Sequence, residues 1–481
     1  MDKFRLFLIL TMLGGCAVGP NFVRPPAPDT DRYTRELRNE ATVEADSKTQ
    51  HFIKSDFLVS DWWKLFDSDE LNIIVNKAII NNPTLEVSEA SLRQSQDNMR
   101  AGYGVFFPQI QAGASGSHQR ISSAQQGSQT GSKIFNLITL SGSISYALDV
   151  FGGARRSVES LRAQADYQRY ENVAAYLILS SNVVNTSIAR AAYAAEISVT
   201  NDLINLEKQE LSLTQIQVKA GRVSYANVLN VKSLIAQSQE TLAPLKQYFS
   251  QSEDLLATLE GELPSQSNLP DIDLNKLSLP LNIPMSLPSD LVNQRPDILA
   301  AEAQMHMASA KIGVATAFMF PSFSLNGTFG TSGSNFGNLT AASGKFWSIG
   351  PSVTIPLFQG TTLWFGRRAA IDAYQQSRAN YRQVVLSAFA QVADSMNALV
   401  HDAEALQAQV EAKRTSGEEL KLLQVNYQAG LVDYLSVLTA DVQYHESTII
   451  YLQSLTQRYQ DTVALYVALG GGWWNARGKS E

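Results

Sequence analysis

The sequence predicts an α+β membrane protein in which β-strands cross the bilayer, very long α-helices leave it, and the whole plan occurs twice. Three observations lead there. First, Pro83 to Pro108 overlays Pro296 to Pro321 without gaps at an offset of 213, and Ala220 to Tyr225 overlays Ala429 to Tyr434 at an offset of 209. Second, each half holds two segments that alternate apolar and polar side chains, the period of a sheet with one apolar face. Third, each half holds about 65 residues without a proline, enough for a helix about 100 Å long at about 1.5 Å per residue. A fixed repeat of this kind decides the fold before any single element does.

The N-terminus comes first in chain order. Lys3 and Arg5 precede the apolar run Leu6 to Leu13, which ends in Leu13-Gly14-Gly15-Cys16. That run is too short to span a bilayer and has the plan of a signal peptide. Cys16 is the only cysteine, so no internal disulfide is possible. Its place after two glycines resembles a bacterial lipobox, which makes residues 1–15 a lipoprotein signal and Cys16 the lipidated residue. Ala17 and Val18 follow it where an aspartate would otherwise stand, and by the same resemblance this favours the outer membrane. No later segment reaches about 18 consecutive apolar residues, so any crossing must be made by strands.

Residues 16–60 are expected to be an anchoring and equatorial segment, 61–261 the first repeat, 262–288 a proline-rich linker, 289–470 the second repeat and 471–481 a tail. Each repeat reads helix, two strands, long helix, tight turn, return helix. The strands are expected at Gln109 to Ser117 with Ile134 to Val150, and at Ser322 to Gly330 with Lys345 to Phe358. Their connectors, His118 to Lys133 and Thr331 to Gly344, are rich in Ser, Gly, Gln and Asn and predict solvated loops. Four strands cannot close a membrane barrel, which needs at least about eight. Three chains supply twelve, so the fold class is a trimeric, twelve-stranded barrel continuous with long helices.

The long helices, Gly153 to Ala220 and Gly366 to Ala429, need partners along their length. The return helices carry matching seams: Val228, Val231, Ile235, Ser238, Leu242, Leu245, Phe249, Ser252, Leu256 and Leu259, then Leu435, Leu438, Val442, His445, Ile449, Leu452, Thr456, Tyr459, Val463 and Tyr466. Spacings of three and four alternate, as in a coiled coil. Pro244 falls in the first return helix without a counterpart in the second and predicts a kink.

Composition excludes other classes. A formal charge of −7 and a pI near 5.4 leave no basic footprint for nucleic acid. No phosphate loop, dinucleotide fingerprint or zinc spacing is present, and the five histidines, His51, His118, His306, His401 and His445, form no catalytic set. No enzyme activity, cofactor or metal site is expected. Met305-His306-Met307 invites a soft-metal reading, but adjacent helical positions do not face one another, which favours packing. His445 sits on the seam and reads as a core histidine.

The chain resembles the TolC-like outer-membrane efflux proteins, in the lipoprotein branch that partners resistance-nodulation-division pumps. The resemblance is carried by Cys16-Ala17-Val18-Gly19-Pro20-Asn21-Phe22, by Trp62-Trp63-Lys64-Leu65-Phe66 followed by Leu71, by the helix starts Asn82-Pro83 and Arg295-Pro296-Asp297, and by both turns. It implies a homotrimer in contact with outer-membrane lipid: a barrel in the membrane, a helical barrel in the periplasm and a belt around it. It also implies a passive efflux duct driven by an inner-membrane transporter of the resistance-nodulation-division type through a periplasmic adaptor. A type I secretion channel and a structural coiled-coil lipoprotein are the alternatives.

Chain order sets direction, because Pro108 and Pro321 lead from helix into membrane strands and leave the two turns at the periplasmic end. Gly221 and Gly430 suit a tight helix reversal, and Arg222, Val223, Leu431 and Val432 beside them are the candidate adaptor contacts. In related channels, acidic residues past each tip ring the constriction. The matching positions here are neutral: Asn227, Ser436 and Thr439, with Asn230 paired to Thr439 by the 209 offset. Asp433 and Asp441 lie nearby and read as solvated acids. Together these six are the gate candidates, and the expected closed mouth is held by hydrogen bonds and packing, with weaker cation selectivity than an acidic ring would give.

Overall fold

The computed structural model describes residues 17–34, 41–55, 58–122 and 131–475. The signal segment 1–15, the lipidation candidate Cys16 and the last residues of the tail, 476–481, lie outside the described residues. In chain order the elements are β1 (His51–Lys54), α1 (Asp69–Asn81), α2 (Pro83–Gly102), β2 (Gln109–Ile121), β3 (Lys133–Leu148), α3 (Gly153–Lys219) and α4 (Tyr225–Leu259). The second half follows with β4 (Asn282–Met285), α5 (Pro288–Gln294), α6 (Pro296–Ala317), β5 (Ser322–Gly333), β6 (Lys345–Thr354), α7 (Thr362–Gln428) and α8 (Tyr434–Ala468). The long helices have 67 residues each and the return helices 35 each. The chain forms two compact units, one of Met1–Pro25, Ser91–Gln168 and Ala301–Tyr381, the other of Pro26–Ala90, Arg169–Ala300 and Arg382–Glu481.

The first unit holds an antiparallel sheet in the order β2-β3-β5-β6. Its register sorts side chains by face. One cross-strand row is Ala112, Gly142, Phe329 and Trp347, and its neighbour is Ile110, Ile144, Gly327 and Ile349. The alternate row on the other face is Gln111, Ser143, Thr328 and Ser348. Across these rows one face is apolar and the other neutral and polar, and the four strands contain no carboxylate. Phe329, Trp347 and Ile349 stay 58%, 77% and 70% exposed. Large apolar side chains in such a band suit lipid rather than water. Gly142 makes room for Phe329, since a Cβ there would lie 2.5 Å from the ring.

The strands differ from the expected ones at their ends. β2 and β5 run on to Ile121 and Gly333, while β6 stops at Thr354, just ahead of Pro356, which cannot donate to a ladder. The connector Thr331 to Gly344 is not the open loop that its composition suggested. Two 3-10 turns, Phe336–Thr340 and Ala342–Gly344, fold back and bury Leu339, whose carbonyl accepts from Thr331 Oγ1 at 2.6 Å.

The second unit holds the main core. A 3-10 turn, Trp62–Phe66, buries Trp62, Trp63 and Phe66 against α1 and the return helices, and Trp62 stacks on Tyr466 at 5.9 Å. The proline-rich stretch does more than link the halves: β4 within it pairs in parallel with β1, His51 opposite Asn282 through Lys54 opposite Met285. This belt covers α8, which explains why Arg458 and Thr462, off the seam, are buried beside the seam residues Tyr459, Val463 and Tyr466. Leu435 departs from the expected seam and is exposed, so the packed stripe starts at Leu438. Pro244 does not end α4, which runs through it unbroken. A lone proline removes one hydrogen bond of the ladder, and the packed seam on either side of Pro244 holds the helix together.

Candidate functional site: the paired helical tips

Both long helices stop in the same way. Gly221 and Gly430 have φ of +68° and +74°, a left-handed region that glycine enters at little cost. At the first tip Gly221 N–H donates to Val218 O and Arg222 N–H to Gln217 O; at the second Gly430 donates to Tyr427 and Leu431 to Asn426. The paired five-to-two and six-to-one bonds are a Schellman ending, which satisfies carbonyls the helix leaves free. A Cβ on either glycine would meet nothing within 4 Å, so the obstacle to other residues is backbone strain alone. Gly430→Val is expected to destabilise the tip by about 1–2 kcal/mol and Gly430→Asn by less, read as protease sensitivity of the hairpin.

The return helices then begin with matched caps. Ser224 Oγ accepts from Ala226 N–H at 3.3 Å, and Asp433 Oδ1 accepts from Ser436 N–H at 2.9 Å and from Ser436 Oγ at 2.6 Å. These bonds hold the Asp433 carboxyl below the usual carboxylate range. Asp433 is thus a helix cap, which the sequence signalled: the 209 register sets it on Ser224, another preferred capping residue. Ser436 is committed to Asp433, and Thr439 Oγ1 donates to Leu435 O of its own helix. Asn227 is half-buried and Asn230 exposed. Arg222, Leu431 and Leu435 are exposed, with Val223 and Val432 partly so.

Asp441 is not a solvated acid. It is 9% exposed, as is His445, whose Nδ1 donates to the Asp441 backbone carbonyl at 2.9 Å and lies 3.3 Å from its carboxylate. Burial alone would lower the His445 imidazole, but the Asp441 bonds and charge more than offset it and leave it raised. Facing this pair from α3 are two carboxylates that the sequence reading missed, Glu207 and Glu210, 1% and 2% exposed. Burial and then the Glu207 charge push Glu210 up to about 7. Burial also raises Glu207, against a hydrogen bond from Ser238 and the His445 charge. Helical period alone could not flag them, because acids on a long helix are most often at the surface.

The arm that follows Cys16 is docked within the first unit. Val18 N–H donates to Phe151 O, and Arg156 reaches Val18 O at 3.3 Å and Asn21 Oδ1 at 2.6 Å. Phe22 stacks on His306 at 4.4 Å, and Arg24 pairs with Glu302 at 2.7 Å. Gly19, at φ +93°, lies so close to Gly313 that a Cβ would come within 2.5 Å of its Cα. Met305 is buried, and His306 lies 2.9 Å from Glu159.

Comparison with known proteins agrees with this architecture. A profile of the family described as Outer membrane efflux protein matches residues 74–262 and 287–471, one span in each half. The chain is similar to the Cation efflux system protein CusC of Escherichia coli (25% identical, covering 98% of this chain and 99% of the relative). It is likewise similar to the Toluene efflux pump outer membrane protein TtgC of Pseudomonas putida (26% identical, 100% and 98% covered). Among solved structures, the outer-membrane channel OprN superposes with a TM-score of 0.84 at 25% identity, over 95% of this chain and all of that one. The expected combination of a shared membrane sheet with long duplicated helices is the fold of these channels. The chain belongs to the outer membrane efflux protein family and serves as the outer-membrane channel of an efflux system.

Proposed function

We propose that three copies of this chain close a twelve-stranded barrel and form the passive exit duct of a tripartite efflux system. One observation carries the reading: the sheet is two-faced and ends in two edges, β2 and β6, that have no partner within the chain among the described residues. In lipid an open edge leaves backbone groups unsatisfied. β6 of one copy laid antiparallel to β2 of the next continues the ladder, and three copies close it. Lipid attached to Cys16 would tether the assembly, and the docked arm from Val18 to Arg24 supports that placement.

The tips are the proposed docking place for the periplasmic adaptor. Leu213 and Ile216 on α3, and their 209-register equivalents Leu422 and Val425 on α7, are between 41% and 61% exposed. Positions free in both halves cannot lie on the flank by which one half packs on the other. With Arg222, Val223, Leu431 and Val432 they make two similar apolar strips per chain, suited to a helical partner. An inner-membrane transporter of the resistance-nodulation-division type would supply the energy. Heightened drug or cation susceptibility of a deletion strain, with protein secretion intact, is the expected result; lost secretion with unchanged susceptibility would favour the type I alternative.

The mouth is proposed to close by packing and neutral hydrogen bonds at Asn227, Asn230, Ser436 and Thr439. Weaker cation selectivity than an acidic ring would give follows, since the strands carry no carboxylate and these four positions are uncharged. Reversal potentials across a KCl gradient in planar bilayers measure this. Strong selectivity that disappears in Asp433→Asn, a change that preserves the cap, or in Asp441→Asn would sink the idea.

A further inference from the structure

The two hairpins of the second unit repeat each other in detail. Ser238 Oγ donates to Glu207 Oε1 at 2.9 Å inside the first; in the second, at the same register, Ser416 and Ser447 hydroxyls are 2.7 Å apart. The hairpins meet along α3 and α8. Gln453 Nε2 donates to Glu196 Oε2 at 3.1 Å across this joint. Lower down, Glu210 and Asp441 stand level, each eleven residues from its turn glycine (221 − 210 and 441 − 430). Both charges act on Tyr434, after burial. Glu196, Glu207, Glu210, Asp441 and His445 are all buried there.

The same joint has an unused counterpart. Shifting the α3 residues forward by 209 converts Glu196 to Ala405 and Glu210 to Glu419 on α7. Shifting the α8 residues back converts Asp441 to Lys232, His445 to Ala236 and Gln453 to Pro244 on α4. Ala405, Glu419, Lys232, Ala236 and Pro244 are all exposed. In a closed ring built from similar repeats, the contact made between halves of one chain recurs between chains.

Resting on the trimer reading above, we propose that α7 of one copy packs on α4 of the next, with Glu419 paired to Lys232 of the partner subunit. The chemistry of the two joints then differs. Inside a chain, two acids, Glu210 and Asp441, stand at this level of the joint and both act on Tyr434, with Glu207 beside Glu210 and His445 beside Asp441. Between chains, acid faces base, and the pair is complementary without any proton uptake. The ring would alternate three titratable joints with three ion-paired ones.

Crosslinking tests this. Lys232→Cys with Glu419→Cys, in the full-length chain in outer-membrane vesicles, is treated with a short bis-maleimide. Covalent dimers and trimers are expected as the main products, and none from either single-cysteine variant, which also controls for Cys16. A native trimer that yields no interchain product, or only a product within one chain, overturns the joint and leaves the trimer reading standing. A chain with no native trimer overturns both. Independently, Lys232→Glu or Glu419→Lys should lower the trimer fraction severalfold and the double exchange should restore it; a double variant no better than the singles overturns the pairing.

Discussion

Arg458→Ala is expected to destabilise the chain by about 3–5 kcal/mol, the range for deleting a large, fully buried side chain together with its hydrogen bonds. The side chain is wholly buried in α8. Its guanidinium donates to Gln50 Oε1 at 3.0 Å, Ala45 O at 3.3 Å, and Thr42 Oγ1 and Lys48 O at 3.4 Å. Truncation leaves those acceptors unsatisfied beneath the belt and opens a cavity in the core. Lysine is no remedy, because its point charge cannot reproduce the planar fork. Residues 41–54, held by the fork, should become the first site of tryptic cleavage, at Lys48 and Lys54. Arg414→Ala is the contrast: its contacts with Glu411 and Glu418 are at 2.6 Å, but the side chain is 53% exposed, so water screens the pairs and its loss should cost far less than that of Arg458. Equal effects of the two substitutions would refute the assignment of Arg458 as the belt's fastening.

The joint between α3 and α8 is expected to weaken as pH rises. Glu210 takes up its proton at about 7 when folded, against 4.5 ordinarily. The folded chain therefore binds more protons than the unfolded one between those values. Stability falls as pH rises through that window and levels off above it, by on the order of 3 kcal/mol from this group. His445 acts in the same sense. Its folded value is raised, so its contribution is complete at low pH and is lost as pH passes that value. Asp402 on α7, raised to about 8 by burial and then by the neighbouring Asp461 of α8, adds to the trend elsewhere in the second unit. Hydrogen exchange at amides near Glu207, Glu210 and His445 should quicken as pH rises from about 5 to about 8, beyond the intrinsic base-catalysed increase. Glu210→Gln, which cannot ionise, should flatten that dependence. Exchange that is equally steep in the variant would show that another group governs the joint.

Much of the architecture was legible in the linear order of residues. The offsets of 213 and 209 set helix on helix and turn on turn, because a duplicated segment meets the same local physics in both copies. Alternation in Thr139 to Asp149 identified a two-faced strand, and Gly221 and Gly430 marked the reversals, since both signals depend only on neighbours in the chain. Strand ends were less legible, as Ile121 and Gly333 are held by partners rather than by their own preference.

Tertiary structure decided what depends on distant contacts. Nothing local to residues 282–285 announces a strand; β4 forms because β1 supplies its hydrogen bonds. Asp433 and Asp441 look alike in sequence, yet one caps a helix at the surface and the other is buried with His445. Glu207 and Glu210 lie on a helix whose polar residues all look solvated until α8 covers them. The duplication and the membrane strands were thus determined by sequence alone, because periodicity is a local property. Which charges are desolvated, and so which can titrate near neutrality, depends on what a distant segment places beside them.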